Sequence, residues 1–367
     1  MAFPPLVEPV DALDDDERVR TTRHASLAGF GELGQRRLAA AHVAVVGAGG
    51  LGSPVVLALA AAGVGTLTVI DDDAVEASNL QRQVMHRVQD VGEPKIDSAV
   101  RVAADLSPRT VVHPVRAWLS ADNAPELLAG AHVVIDGTDT FETREAVASA
   151  CEDLGVPLVW GVVQEFHAQA TVFWSAPPAG APAVRLRDLY PPETVGELPS
   201  CSQVGVLGSL CLQVGAILAT EAVKLITGIG EPLLGRVLVI DALRGRTDEV
   251  PLRPAAIPVE TRVRVAPIPH VDVVTALAAQ SEGATLLDVR EPYETDTGII
   301  PGAVAVPLAD ILADPAQAGP GPVVVVCAVG ARALRAAHAL QQSGITASVL
   351  TGGMTAWDAA SRPRVSA

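Results

Sequence analysis

Short apolar runs rich in valine and isoleucine recur along the first two thirds of the chain. They are HVAVVG (42–47), TLTVID (66–71), TVVHPV (110–115), HVVIDG (132–137), PLVWGV (157–162), AQATVFW (168–174) and RVLVID (236–241). Their length and branching predict strands. Between several of them lie patterns of helical period, SPVVLALAAAG, KIDSAVRVAADL and TREAVASACEDL. Strands alternating with helices predict an α/β fold built on a doubly wound, mainly parallel sheet. Late strands without a helix between them are expected to run antiparallel.

A second, smaller α/β unit follows. It reads as a helix (VDVVTALAAQ), a strand (ATLLDVR), a strand (VVVVC), a helix (RALRAAHALQQSG) and a strand (ASVLTGG). Two stretches lack any period. One, residues 176–203, is a long Pro-rich loop, and connections of that length are usually functional or mobile. The other begins PLRPAAIPVETRVRVAPIP at residue 251 and reads as a linker. The expected organisation is a first domain over 18–250, a linker over 251–271 and a second domain over 272–367.

Composition narrows the possibilities. The chain has 367 residues, ample for two cores, and only 3% aromatics, so those cores must be aliphatic. A net charge of −16 argues against nucleic-acid and anionic-membrane partners. The acidic cluster Asp14, Asp15, Asp16 and Glu17 reads as a solvated N-terminal face. No basic region followed by an apolar run opens the chain, as a signal peptide would. Residues 43–70 carry no charge, but six glycines and a proline interrupt them, so buried strand–turn–helix–strand is expected rather than a membrane span. The second apolar run, 204–220, reads as a buried helix. The four cysteines, Cys151, Cys201, Cys211 and Cys327, are widely spaced and fit a reducing, cytoplasmic setting. Cys151 and Cys211 fall inside helical patterns and read as core.

Candidate chemistry begins at Gly47, Gly49 and Gly52, a G-x-G-x-x-G turn between strand and helix. Such a turn lets backbone approach phosphate, and the helix N-terminus favours the negative charge. Asp71 ends the next strand, where a carboxylate can accept ribose hydroxyls. These features fit an NAD-dependent oxidoreductase equally well. The following loop differs. Asn79, Arg82, Gln83 and Lys95 lie just beyond the carboxylate. Two cations there suit a triphosphate, whose charge must be offset while one phosphorus is attacked.

GAGGLGS, SNLQRQ, VGEPK and IDGTDTFETR together resemble the ThiF/MoeB family, bacterial relatives of ubiquitin-activating enzymes, over about residues 18–250. The resemblance implies a Rossmann-like sheet of the ubiquitin-activating-enzyme type, ATP and Mg²⁺. It implies that Gly49 and Gly50 approach the phosphates, that Asp71, with Asp73 beside it, binds ribose, and that Asn79, Arg82, Gln83 and Lys95 hold the triphosphate. Asp139 would ligate Mg²⁺. RVRTTRH resembles the family's N-terminal arginine motif, so Arg23 would reach the active site of a second subunit in a homodimer. The reaction implied is adenylation of the C-terminal Gly-Gly of a ubiquitin-like sulfur-carrier protein. Cys201, in LPSCSQ, matches the family's loop cysteine, an acyl acceptor or resolving thiol. Many relatives hold structural zinc through two Cys-x-x-Cys pairs. The matching stretches, RLRDLYP (185–191) and IPVE (257–260), contain no cysteine, so no structural zinc is expected.

LLDVREPYE, IIPGAVAVPL, VVVVCAVGAR and VLTGGMTAW resemble a rhodanese domain over residues 272–360. Four residues separate Cys327 from Arg332, the sulfurtransferase loop length, whereas cysteine phosphatases use five. Loop amides and the following helix would favour a thiolate and then a persulfide on Cys327, with Arg332 closing the cradle. The common HIPGA of such domains reads IIPGA here. The combined expectation is adenylation followed by sulfur transfer from Cys327, loaded by an upstream persulfide donor such as a cysteine desulfurase. The alternatives are an enzyme that only adenylates, beside an inactive rhodanese unit, and an NAD-dependent oxidoreductase. Carriers of this kind serve molybdopterin, thiamine, cysteine and natural-product pathways, and no residue here chooses among them.

Overall fold

The computed structural model describes residues 3–191, 205–254, 268–296, 298–319, 321–328 and 330–361. It divides into two compact units, Met1–Ile257 and Pro258–Ala367.

The first unit is built on an eight-stranded sheet. Its strands are β1 (His42–Val46), β2 (Thr66–Ile70), β3 (Val111–Val115), β4 (Val133–Asp136), β5 (Leu158–Gln164), β6 (His167–Phe173), β7 (Arg236–Asp241) and β8 (Arg246–Pro251). The spatial order is β3-β2-β1-β4-β5-β6-β7-β8. The first five pair in parallel and the last three add antiparallel; β5–β6 and β7–β8 follow one another without a helix, as expected for antiparallel neighbours, whereas helix Gly208–Thr227 lies between β6 and β7. β1 is the hub. Val46 pairs with Ile70 on one side and Asp136 on the other, so the ends of β1, β2 and β4 open onto one crevice. Ligands in open α/β sheets bind in such crevices, where the strand order reverses.

The central strands are buried on both faces, which explains their unbroken Val/Ile runs. Helix Gly52–Ala62 returns the chain from β1 to β2 and ends at Gly63, whose φ of +82° suits only glycine. The apolar helix Gly208–Thr227 packs on β5 and on helix Gly52–Ala62. It is the one helix among the described residues long and apolar enough to cross a membrane, and most of it is buried inside the unit. Edge strand β8, RTDEVP, was not anticipated. All six of its residues are exposed, so it carries no apolar signal. The acidic N-terminal cluster is not wholly a solvated face. Glu17 is buried and pairs bidentately with Arg20, while Asp14 caps the helix Asp15–Arg20.

RLRDLYP, where the resemblance places one of the cysteine pairs, is tied down by charge. Arg185 Nε lies 3.3 Å and Arg187 Nη2 3.6 Å from Glu152 Oε2 on helix Phe141–Leu154. Asp188 accepts the Arg185 amide at 2.7 Å. IPVE lies outside the described residues.

The second unit holds a five-stranded parallel sheet of order β11-β10-β12-β13-β9. Its strands are β9 (His270–Val271), β10 (Thr285–Asp288), β11 (Val304–Ala305), β12 (Val323–Val326) and β13 (Ala347–Leu350). β12 is central and wholly buried, and it delivers Cys327 to the C-terminal edge of the sheet. The two-residue strands β9 and β11 are too short to show a period in the sequence.

Candidate active sites

The glycine turn after β1 divides its glycines by task. A Cβ on Gly52 would lie 1.8 Å from the Gly47 carbonyl oxygen, so only glycine lets helix and turn close. Gly47 has φ +88° and abuts Gly137 after β4. Gly49 is different. A Cβ there would meet nothing nearer than 3.6 Å, because the residue borders open space. Gly49 and Gly50 line a cavity of about 630 Å³ at the crevice.

Asp71 sits where β2 ends. Its Oδ2 accepts the Ala48 N–H at 2.7 Å and its Oδ1 accepts the Asp73 N–H at 2.9 Å. The carboxylate therefore braces the glycine turn as well as lining the cavity. Burial raises its pKa, and Lys95 opposes that shift. Lys95, buried at the start of helix Lys95–Leu106, places its ammonium 2.7 Å from Asp73 Oδ2 and 4.0 Å from Asp71 Oδ1. Asn79 is buried, and its Oδ1 accepts the Glu76 amide, fixing the short turn that carries Arg82. Arg82 Nη1 donates to the Ser78 carbonyl at 3.2 Å. Gln83 is buried against the cavity, and its Oε1 has no hydrogen-bond partner among the described residues.

Gly47, Gly49, Gly50, Asp71 and Asp73 thus share one cavity with Asn79, Arg82, Gln83, Lys95 and Asp139. Gly52 packs beneath it. Arg23 does not join them within this chain. It is exposed on the short helix Thr22–Ala25. Cys201 lies outside the described residues.

Arg144 and Cys211 are among the cavity residues that the sequence did not single out. Arg144, on the first turn of helix Phe141–Leu154, is buried with its guanidinium 5.6 Å from the centre of the Trp160 ring. Its Nη2 donates to the Thr138 carbonyl at 3.0 Å, bracing the turn that presents Asp139. Asp136 braces the same turn, accepting the Thr138 amide and hydroxyl at 2.9 and 2.6 Å. The available signal was slight: Arg144 follows GTDT by one turn and is the one basic residue in a helix whose other charges, Glu142, Glu145, Glu152 and Asp153, are acidic. Cys211 also lines the cavity, behind Gly50. Its helical period pointed to core, and it is buried; what the period could not reveal is that its helix starts at the site. Cys151 is core as expected, and burial pushes its thiol pKa far up.

In the second unit, Cys327 is buried at the end of β12. Its Sγ accepts the Gly330 N–H at 3.0 Å, and Gly330 takes φ +128°, a conformation open to glycine. The Cys327 carbonyl accepts the Met354 N–H at 2.8 Å. A Cβ on Gly353 would lie 2.2 Å from that carbonyl oxygen, which explains the glycine directly before Met354. Arg332, on the first turn of helix Ala331–Gln342, forms a two-pronged pair with Glu294 of helix Pro292–Thr295, at 2.5 and 2.7 Å. That pair holds the Glu294 carboxyl below its usual range. Ile299, in the histidine's place of HIPGA, is partly exposed, whereas Ile300 is core.

The model of the ThiF family matches residues 21–258, and that of the rhodanese-like domain matches residues 273–360. A probable adenylyltransferase/sulfurtransferase MoeZ of Mycobacterium tuberculosis is 41% identical, covering 97% of this chain and 96% of that protein. The SAMP-activating enzyme E1 of Haloferax volcanii is 45% identical over 66% of this chain and 88% of its own. Among solved structures, E. coli MccB aligns with a TM-score of 0.57 at 19% identity, covering 68% of this chain and 72% of that one, a likeness of fold. The chain belongs to the ThiF family, as a member that carries a rhodanese-like domain behind its ThiF domain.

Proposed function

We propose that this enzyme adenylates the C-terminal Gly-Gly carboxylate of a ubiquitin-like sulfur-carrier protein, then exchanges the adenylate for sulfur carried on Cys327. The observation that carries the reading is the single cavity onto which Gly49, Arg82, Lys95 and Asp139 all open. A dinucleotide needs the glycine turn and the ribose carboxylate. Two cations and a further carboxylate beyond them suit a triphosphate with its metal. The names of the relatives, adenylyltransferase/sulfurtransferase among them, support the same pairing of activities.

In the first half-reaction a carrier carboxylate oxygen attacks the α-phosphorus. The bond to pyrophosphate breaks and pyrophosphate leaves. Arg82 and Lys95 offset the charge that shifts onto the leaving group, and Asp71 and Asp73 take the ribose. Asn79 and Gln83 contribute polar contacts, the Gln83 Oε1 having no partner among the described residues. Asp139 is exposed on the cavity wall and fits Mg²⁺, which would supply further charge stabilisation to the phosphates. Arg23 of a second copy completes the site, so the working form is a homodimer.

In the second half-reaction the terminal sulfur of a Cys327 persulfide attacks the acyl carbon, and AMP leaves. The product is an acyl disulfide. The Cys201 thiolate then attacks the Cys327 sulfur and releases the carrier thiocarboxylate. The Cys201–Cys327 disulfide left behind is reduced by a cellular dithiol, and a persulfide donor such as a cysteine desulfurase reloads Cys327. Single-turnover mass spectrometry of the carrier with Cys327→Ala tests this. The variant should retain ATP–pyrophosphate exchange and make no thiocarboxylate. Undiminished thiocarboxylate would remove Cys327 from the reaction.

A further inference from the structure

Ala48, in the middle of the glycine turn, is gripped at both ends of its backbone. Asp71 takes its N–H. Its carbonyl oxygen accepts from His86 Nε2 at 3.0 Å and from Ser53 Oγ at 3.1 Å. Both donors are buried, and they come from different places, Ser53 from the first turn of helix Gly52–Ala62 and His86 from the loop after Gln83.

This grip decides where the next amide points. A trans peptide sets its C=O and N–H on opposite sides, and no cis bond occurs among the described residues. With the Ala48 carbonyl drawn inward, the Gly49 N–H faces the other way. Gly49 lines the cavity, and its N–H has no partner among the described residues. His86 is suited to a fixed donor's part. A carbonyl can only accept, so Nε2 carries the proton, while the buried Nδ1 has no hydrogen-bond partner among the described residues. Burial lowers its pKa, with Lys95 and Arg101 adding to that shift and the Ala48 contact and Asp90 opposing it, which favours the neutral ring.

We infer that His86 and Ser53 are positioning residues for the nucleotide's phosphates, locking the Ala48–Gly49 peptide so that the Gly49 N–H is presented to an anion in the cavity. The inference rests on the ATP reading above. A glycine-rich turn left to itself would sample many orientations. Donors aimed in advance cost no reorganisation when charge arrives.

Calorimetric titration of the full-length protein with ATP, AMP and adenosine tests it. His86→Leu should weaken ATP and AMP about tenfold and leave adenosine within about twofold. His86→Gln, which keeps an amide donor near the Nε2 position, should restore most of the loss. Ser53→Ala should show a smaller loss confined to the phosphorylated ligands, and it carries the test should His86→Leu not fold. Unchanged ATP affinity in Ser53→Ala and His86→Leu would overturn the inference while leaving the ATP reading intact. So would an equal loss for adenosine. A wild-type protein that binds ATP no better than adenosine would overturn both.

Discussion

Lys95 is joined to Asp73 twice, main chain to main chain at 3.0 Å and ammonium to carboxylate at 2.7 Å. The first contact fixes the start of helix Lys95–Leu106 against the loop after β2. The second holds a buried cation at the rim of the cavity, on a partner whose own side chain is mostly exposed. A partner in water yields readily to a phosphate. Lys95→Met should therefore cut ATP–pyrophosphate exchange about a hundredfold. Its thermal midpoint should stay near that of the wild type, because the main-chain contact survives.

The glycine turn predicts a split between two similar substitutions. Gly52→Ala forces a Cβ to within 1.8 Å of a backbone oxygen. It should destabilise the first unit by about 3 kcal/mol or prevent folding, as seen in denaturant titration. Gly49→Ala meets no obstacle nearer than 3.6 Å and should fold normally. Its added methyl points into the cavity's space, so nucleotide affinity should fall while the denaturation midpoint holds.

In the second unit, the Glu294–Arg332 pair sets the direction of the guanidinium that follows Cys327 by five residues. Glu294→Gln keeps the shape and removes the charge. Transfer of sulfur from Cys327 should drop about tenfold through misplacement of Arg332. ATP–pyrophosphate exchange should be unaffected, so the ratio of the two activities is the measurement.

Stability should also depend on His42. Its ring bridges the Gly130 carbonyl and the Thr68 hydroxyl, and its backbone N–H donates to His132 Nδ1. Burial is the first cause lowering its pKa, with His132 and His113 adding repulsion. The folded state thus binds the proton less well than the unfolded chain. The contribution is complete above the unfolded value of about 6.5 and is lost as pH falls through the lowered folded value. Denaturation midpoints should decline between neutral and mildly acidic pH, and His42→Gln should flatten that decline. His86 and His338 shift in the same direction, so some slope will remain.

Much of this site was legible because its signals are local. Gly47 and Gly52 announce a turn that no side chain fits, and Arg82 and Lys95 stand out as cations in the polar stretch between β2 and the body of the next helix. The strands that matter carry unbroken apolar runs because both their faces are covered. What escaped notice depends on contacts distant in sequence. Arg144 reads as an ordinary helix charge until Thr138 and Trp160 close around it. Cys211 reads as core, which it is, but its helix begins against the turn at Gly50. His86 becomes meaningful only when folding brings it beneath Ala48, 38 residues away. Edge strand β8 escaped for the opposite reason, since it buries nothing.

The most direct measurement of the central claim is the mass of a Gly-Gly sulfur carrier after incubation with this enzyme, ATP, Mg²⁺ and a persulfide donor. The account predicts a carrier heavier by the exchange of one oxygen for sulfur, formed only when ATP is present. A carrier that remains unmodified while ATP–pyrophosphate exchange proceeds on it would contradict the account and leave an enzyme that only adenylates.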